Sequence, residues 1–216
     1  MVYPLSNFVV TVPPGVEPIS VGEAKQHLRQ DAPDDDTLIS GLIIAAREQV
    51  ERMTSRALIT RTIEFYRDQF PGIPPWPNSP VIELPQPPLI AVTGLSFIDS
   101  AFANHNWTVS GNNLLDETGA VNAHWDNVNE PGRIMLAYSQ VWPNRVLKTV
   151  NALKITYTAG YGPDPVNVPQ AAKQAMLLLI GSWYTFRESL EAGAASMPIP
   201  HGVDMLLGPL KNWNFA

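Results

Sequence analysis

The residues with chemistry to offer are few and scattered. Asp34, Asp35 and Asp36 form the densest run of charge. Carboxylate oxygens are hard ligands, so such a run suggests a divalent cation site. The calcium-loop spacing, with its glycine and closing glutamate, does not follow. The same run ahead of an apolar periodic stretch also suits a helix N-terminus, through capping and the helix dipole. That structural reading is adopted here. Of the four histidines, His27 lies on a predicted helix, His105 and His124 in polar loops, and His201 in the C-terminal tail. No two are spaced i, i+4 and no HExxH motif occurs, so a metal site or triad needs convergence from distant segments. Ala159-Gly160-Tyr161-Gly162 runs into Pro163 and Pro165 and lacks the Lys-Ser/Thr of a phosphate loop, so it reads as a tight turn. No GxSxG nucleophile elbow is present. Trp76, Trp107, Trp125 and Trp142 suggest a stacking platform for sugars or bases, but core or interface packing is the better-supported reading. No catalytic residue, metal site or cofactor is expected.

Composition narrows the field further. The 216 residues include no cysteine, which removes disulfides, thiol nucleophiles and thiolate metal sites. Proline contributes 21 residues, about twice the usual share of ~5%. The apolar fraction of 45% is nevertheless enough to build a core. The net charge of −6 disfavours a protein that coats nucleic acid. No Lys or Arg precedes Lys25, so a secretory signal is not expected. The longest apolar run, Met176 to Phe186, falls short of the ~20 residues of a membrane span.

Proline placement maps the elements that must carry these residues. Eight prolines fall between Pro71 and Pro88, and none lies in 34–70 or 170–197. Long helices belong in those two windows. Ser20-Val21-Gly22-Glu23 has the form of a capping box and predicts a short helix to about Gln30. A second helix is predicted from the acidic run. Leu38, Ile39, Leu42, Ile43, Ala46, Val50 and Met53 form its apolar stripe, opposite Arg47, Glu48, Glu51 and Arg52. A third opens after Pro169 and is expected to end near Glu191, with a stripe of Ala172, Ala175, Met176, Leu179, Ile180, Trp183 and Phe186. Strands are predicted around Ile63–Arg67, Val81–Leu84, Leu89–Asp99, Trp107–Ser110, Arg133–Tyr138 and Leu153–Thr158. The expected class is α+β: a small helical bundle from the N- and C-terminal helices with an inserted antiparallel β module. The expected segments are an arm over 1–19, a helical segment over 20–61 and the β module over 62–160. The long helix over 161–193 and an apolar tail over 194–216 follow.

Ordered short motifs carry a resemblance. They are Glu17-Pro18-Ile19-Ser20, Glu23-Ala24-Lys25, His27-Leu28-Arg29, Ala45-Ala46-Arg47-Glu48, Val50-Glu51, Thr54 and Arg56-Ala57-Leu58-Ile59-Thr60. Leu84-Pro85, Pro87-Pro88-Leu89 and Thr156-Tyr157-Thr158-Ala159-Gly160-Tyr161-Gly162 follow, then Val168-Pro169, Trp183-Tyr184 and Arg187-Glu188. Pro200, Gly202-Val203, Leu206-Leu207 and Pro209 complete the set. In this order they resemble the head–tail connector (adaptor) proteins of long-tailed phages, prophages and gene transfer agents. The stretch 100–150 matches little of that pattern.

The resemblance implies a non-enzymatic structural protein of the virion, made in the host cytoplasm. Its implied state is a homo-oligomeric ring, dodecameric in the particle, beneath the portal protein. The ring extends the channel for double-stranded DNA and receives stopper or tail proteins; no membrane is involved. An acidic chain suits a channel that passes DNA without specific binding. The C-terminal segment of such proteins docks on the portal. Ile199, Val203, Leu206, Leu207, Trp213 and Phe215 are the expected docking residues, and Ala171, Ala175 and Trp142 the expected subunit interface. Deleting 197–216 is then expected to spare the fold and abolish docking. The rival readings are a stopper or other tail-completion protein, a carbohydrate-binding module, and a small hydrolase around the aspartates.

Overall fold

The computed structural model describes residues 7–71, 81–186 and 201–212. They form a mixed α+β protein with four α-helices and a nine-stranded antiparallel sheet. The chain divides into two compact units. One holds the described residues of 1–13 and 60–160, the other those of 14–59 and 161–214.

The strand unit contains β1 (Phe8–Val12), β2 (Arg61–Arg67), β3 (Val81–Glu83), β4 (Leu89–Ile98) and β5 (Asn104–Ser110). Strands β6 (Asn113–Leu115), β7 (Val121–Asp126), β8 (Arg133–Leu136) and β9 (Leu153–Ala159) complete it. The sheet order is β1-β2-β9-β4-β5-β6-β7-β8-β3, and every pairing is antiparallel. β9, last in sequence, lies between β2 and β4. Its alternation works as the sequence predicts: Leu153, Ile155, Tyr157 and Ala159 are buried, with Lys154, Thr156 and Thr158 between them only partly covered. The strand predictions miss β1, β6 and β7. β6 has three residues, β7 reads Val-Asn-Ala-His-Trp-Asp, and β1 lies in a stretch assigned to an arm. β1 is held by its pairing with β2, where Phe8 faces Phe65 and Val10 faces Ile63. That long-range partner is invisible to local pattern.

The helical unit contains α1 (Val21–Leu28), α2 (Asp36–Thr54), α3 (Gln170–Thr185) and α4 (His201–Leu207). The capping box is present as predicted: Glu23 N donates to Ser20 Oγ at 3.1 Å, and Ser20 N donates to Glu23 Oε2 at 2.8 Å. α1 stops at Arg29, which takes a left-handed backbone. The acidic run begins as a 3-10 turn, Pro33–Asp35, and the α-helix proper starts at Asp36. Ile39, Ile43, Ala46 and Val50 of α2 are buried with Ala172, Ala175, Met176, Leu179 and Ile180 of α3 in one core. Phe186, predicted for the α3 stripe, lies past the helix end and is 58% exposed. The predicted continuation towards Glu191 lies outside the described residues.

The largest departure on α2 concerns its polar face. Arg47 and Glu51, expected in solvent, are buried. Arg47 Nε donates to Glu17 Oε2 at 2.8 Å and its Nη1 donates to Glu51 Oε2 at 3.0 Å. The other oxygen of Glu51 accepts from Leu58 N at 3.0 Å. Buried charges survive when paired and hydrogen-bonded, and each member here has such partners. Burial works against the charged guanidinium, but Glu51 and Glu17 outweigh it and raise its pKa.

Candidate functional site

The residues first suspected of chemistry are mostly absorbed by structure. Asp36 Oδ1 accepts from Lys25 Nζ at 2.7 Å, and Asp35 Oδ2 accepts from Tyr184 Oη at 2.5 Å. Asp35 occupies the N-cap position of α2 without a side-chain cap bond, so the capping half of the expectation is corrected. These carboxylates tie α1 and α3 to the start of α2 instead. Among the described residues, no three His, Cys, Asp or Glu side chains gather as a metal site would require. Trp107, Trp125 and Trp142 are buried. Phe70 stacks on Trp142 with centroids 5.1 Å apart, and Phe97 meets Phe70 edge-on at 5.2 Å. Trp125 Nε1 donates to the Gly111 carbonyl at 3.0 Å. These rings are core, which overturns the sugar-platform alternative for all three; Trp76 lies outside the described residues.

The motifs that carried the resemblance meet as stitches within each unit. In the strand unit, Tyr157 Oη donates to the Pro85 carbonyl at 2.7 Å across 72 residues of sequence. Gly160 N donates to Pro88 O at 2.9 Å, and Arg61 donates to the Gln86 side chain. Burial pushes the Tyr157 phenol pKa up, so the group stays a donor. In the helical unit, Tyr161 N donates to Leu58 O at 3.3 Å. Gly162 then has no room for a side chain: a Cβ there would sit 2.4 Å from Asn167 Oδ1. That oxygen accepts from Asp164 N at 3.2 Å, which closes the turn before α3. The Gly-rich stretch is thus the tight turn its prolines implied.

The expected docking and interface residues separate sharply by burial. Val203 and Leu207 are fully buried in the helical core and Leu206 is half-buried. Met205, not singled out in the sequence, is 81% exposed. Arg56 Nε donates to Leu210 O at 2.5 Å, and Asn212 N donates to Thr54 O at 2.9 Å. The segment 201–212 therefore belongs to the protomer's own fold, because a seven-residue amphipathic helix must bury its apolar side somewhere. This corrects the expectation that removing 197–216 spares the fold. Ile199, Trp213 and Phe215 lie outside the described residues. Ala175 and Trp142 are buried inside their own units, and only Ala171 of that group keeps partial exposure.

Exposed apolar residues collect on the strand unit instead. Tyr138, Val141, Val146 and Val150 stand out from the long connection between β8 and β9, and Phe102 from the β4–β5 turn. Backbone contacts join the two: Ser100 N donates to Val146 O at 2.8 Å, Lys148 N donates to Ile98 O at 3.1 Å, and Asp99 bridges Leu147. Single exposed apolar residues are ordinary, but this set shares one connected stretch of backbone.

One titratable cluster was not legible in the sequence. His105, expected in a polar loop, sits on β5 and is buried. Its Nε2 lies 3.0 Å from Asp99 Oδ2 and its Nδ1 lies 2.6 Å from Glu117 Oε1. The ring stacks on Phe97 with centroids 4.7 Å apart. The Asp99 contact, followed by Glu117, holds the imidazole pKa above its ordinary value. His105 and two backbone N–H groups hold Asp99 below the usual carboxylate range. Both ring nitrogens thus face carboxylates, and among the described residues neither meets the hydroxyl that a hydrolytic triad would place there. His124, also expected in a loop, lies on β7, where its Nδ1 is 2.8 Å from Asn113 Oδ1.

The arrangement defines a mixed α+β protein with two internally stitched units. No helix among the described residues is long and apolar enough to cross a membrane. No protein-family model matches the chain, and no curated protein does. Solved structures do match, over nearly the whole chain. A chain from the neck of an empty gene transfer agent particle, computed with C6 symmetry, matches at TM-score 0.70 and 22% identity, with 94% of each chain covered. A chain from the virion of a native gene transfer agent particle matches at TM-score 0.67, 22% identity and the same coverage. A chain from the neck of the native particle, computed with C12 symmetry, matches at TM-score 0.64 and 25% identity, covering 95% of this chain and 93% of that one.

Proposed function

We propose that this protein is a structural component of the neck of a phage-like particle, working as a head–tail adaptor. In this reading a ring of copies sits beneath the portal, continues the DNA channel and receives stopper or tail proteins. The observation that carries the reading is the likeness to neck and virion chains over at least 93% of both partners, at TM-scores of 0.64 to 0.70. That coverage spans both units, so it is not a likeness to one common domain. The neck particles were computed with C6 and C12 symmetry, which favours a cyclic, head-to-tail assembly. The exposed apolar side chains of Phe102, Tyr138, Val141, Val146 and Val150 support such a contact. Among the described residues of the C-terminal segment, Met205 and the open side of Leu206 are exposed for the docking role, and Ile199, Trp213 and Phe215 remain proposed for it. The 20 acidic against 14 basic residues suit a channel that passes DNA without gripping it. The function is geometric: it needs a shape that repeats around an axis, and no bond is made or broken.

The test is electron microscopy of the full chain mixed with its portal. The expected result is a ring seated coaxially on the portal. Binding to a tail tube in the absence of portal would favour the stopper reading. A chain that binds neither assembly would overturn the proposal.

A further inference from the structure

With both carboxylates ionised, the His105 cluster has a proton inventory that only the doubly protonated ring satisfies. An ionised carboxylate accepts hydrogen bonds and donates none. A neutral imidazole has one N–H donor and one acceptor nitrogen. Here both ring nitrogens face carboxylate oxygens, Nδ1 at 2.6 Å and Nε2 at 3.0 Å. Asp99 Oδ1 is engaged as well, accepting from Ala101 N at 2.9 Å and Ala103 N at 3.0 Å, which marks this carboxylate as ionised. A neutral ring would therefore set a lone pair against one carboxylate. A doubly protonated ring donates to both.

We propose that His105 is held as an imidazolium and acts as a proton-dependent clamp between the β4–β5 turn and the β6–β7 turn, fixing the exposed Phe102 at the tip of the first. Asp99 closes that turn through its backbone as well. Phe102 N donates to Asp99 O at 3.0 Å, and Asp99 N donates to Ala103 O at 3.1 Å. Phe102 itself takes a left-handed backbone, φ 61°, which the turn must hold in place. On the far side, Glu117 belongs to a turn organised by Asp116. That carboxylate accepts from Thr118 N, Ala120 N and Asn122 Nδ2, so it is occupied within its own turn. From the β8–β9 connection the nearby charge is Arg145, which opposes the cation. The other side of the ring is covered by Phe97. Two carboxylates against one guanidinium leave the balance in favour of the protonated ring.

The sign of the pH dependence follows. A group whose folded pKa is raised contributes fully below its unfolded value of about 6.5 and loses that contribution as pH rises through the folded value. The clamp is therefore closed below about pH 6.5 and opens as pH rises through the raised folded value. The neutral ring keeps one N–H, so opening releases one of the two carboxylates and breaks the bridge between the two turns.

The experiment is imidazole nitrogen NMR on the full chain, with His105 assigned by triple resonance, titrated from acid to alkali. The doubly protonated ring of His105 is expected to lose one proton at a midpoint above the ordinary value of about 6.5. The amides of the released turn, Ala101, Phe102 and Ala103 on the Asp99 side or Thr118 and Ala120 on the Glu117 side, are expected to exchange about tenfold faster, beyond the intrinsic pH effect, once the ring titrates. His105→Gln is expected to remove that pH step, and Glu117→Gln to move it to lower pH. A His105 midpoint at or below the ordinary value overturns the proposal. So does exchange in both turns that ignores the titration. If His105→Gln fails to fold, the wild-type titration and Glu117→Gln still decide.

Discussion

Replacing Arg47 with methionine isolates the buried charge network of the helical unit. Methionine keeps much of the stem volume and removes the guanidinium. The substitution deletes the bonds to Glu17 and Glu51, both 3.0 Å or shorter. It leaves Glu51, whose side chain is 6% exposed, buried without its guanidinium. Removing one partner of such a pair costs about 3–5 kcal/mol, far above the ~1 kcal/mol of a surface pair. The lower end applies here, because Leu58 N still donates to Glu51. A loss of about 3 kcal/mol corresponds to a Tm lower by roughly 6–12 °C for a chain of this length. Urea titration followed by far-UV circular dichroism, together with calorimetry, measures both quantities. The internal control is Arg47→Met with Glu51→Gln. The amide keeps an acceptor for Leu58 N and removes the stranded charge, so the double variant should be about 1 kcal/mol or more stable than the single one. A single-variant loss under about 1 kcal/mol, or a double variant less stable than the single, would refute the reasoning.

Three further outcomes are expected. Tyr157→Phe removes the donor to Pro85 O from a fully buried site and should lower stability by about 1–2 kcal/mol in chemical denaturation. Leu207→Ala should cost about 2–5 kcal/mol because the side chain is fully buried, whereas Met205→Ser should leave stability within about 0.5 kcal/mol and weaken portal binding in a pull-down. The carboxylates of Asp99, Asp116 and Asp126 are all held below the usual range, Asp99 first by His105, Asp116 first by Thr118 and Asp126 first by Asn129. A depressed carboxylate contributes fully above its unfolded value and loses that contribution as pH falls. Thermal stability should therefore drop below about pH 4, and Asp116→Asn should blunt the drop.

Some of this architecture is readable one residue at a time. The capping box at Ser20 and Glu23 is a local exchange of two hydrogen bonds, so four consecutive residues specify it. The alternation of β9 and the apolar stripe of α2 are periodic patterns that burial on one side imposes. Other features needed the third dimension. Arg47 and Glu51 look like a solvated helix face until Glu17 and Leu58 N come to meet them. β1 is a strand because β2 offers it an edge. His105 looks like a loop residue until Asp99 and Glu117 close on its two nitrogens.

The division between sequence and structure therefore follows the range of the forces. Sequence alone determined the mixed class, the two long helices, the central strand and the absence of thiol chemistry, since these depend on composition and on neighbours within a few residues. It also carried, in an ordered series of short motifs, the resemblance to head–tail connectors. Only the tertiary structure decided what those motif residues do. Tyr157 reaches Pro85 across 72 positions, Arg56 reaches Leu210 across 154, and Val203 and Leu207 turn from a free docking tail into core. Burial and pairing at such separations are properties of the closed chain, because each partner's environment exists only once the other has arrived.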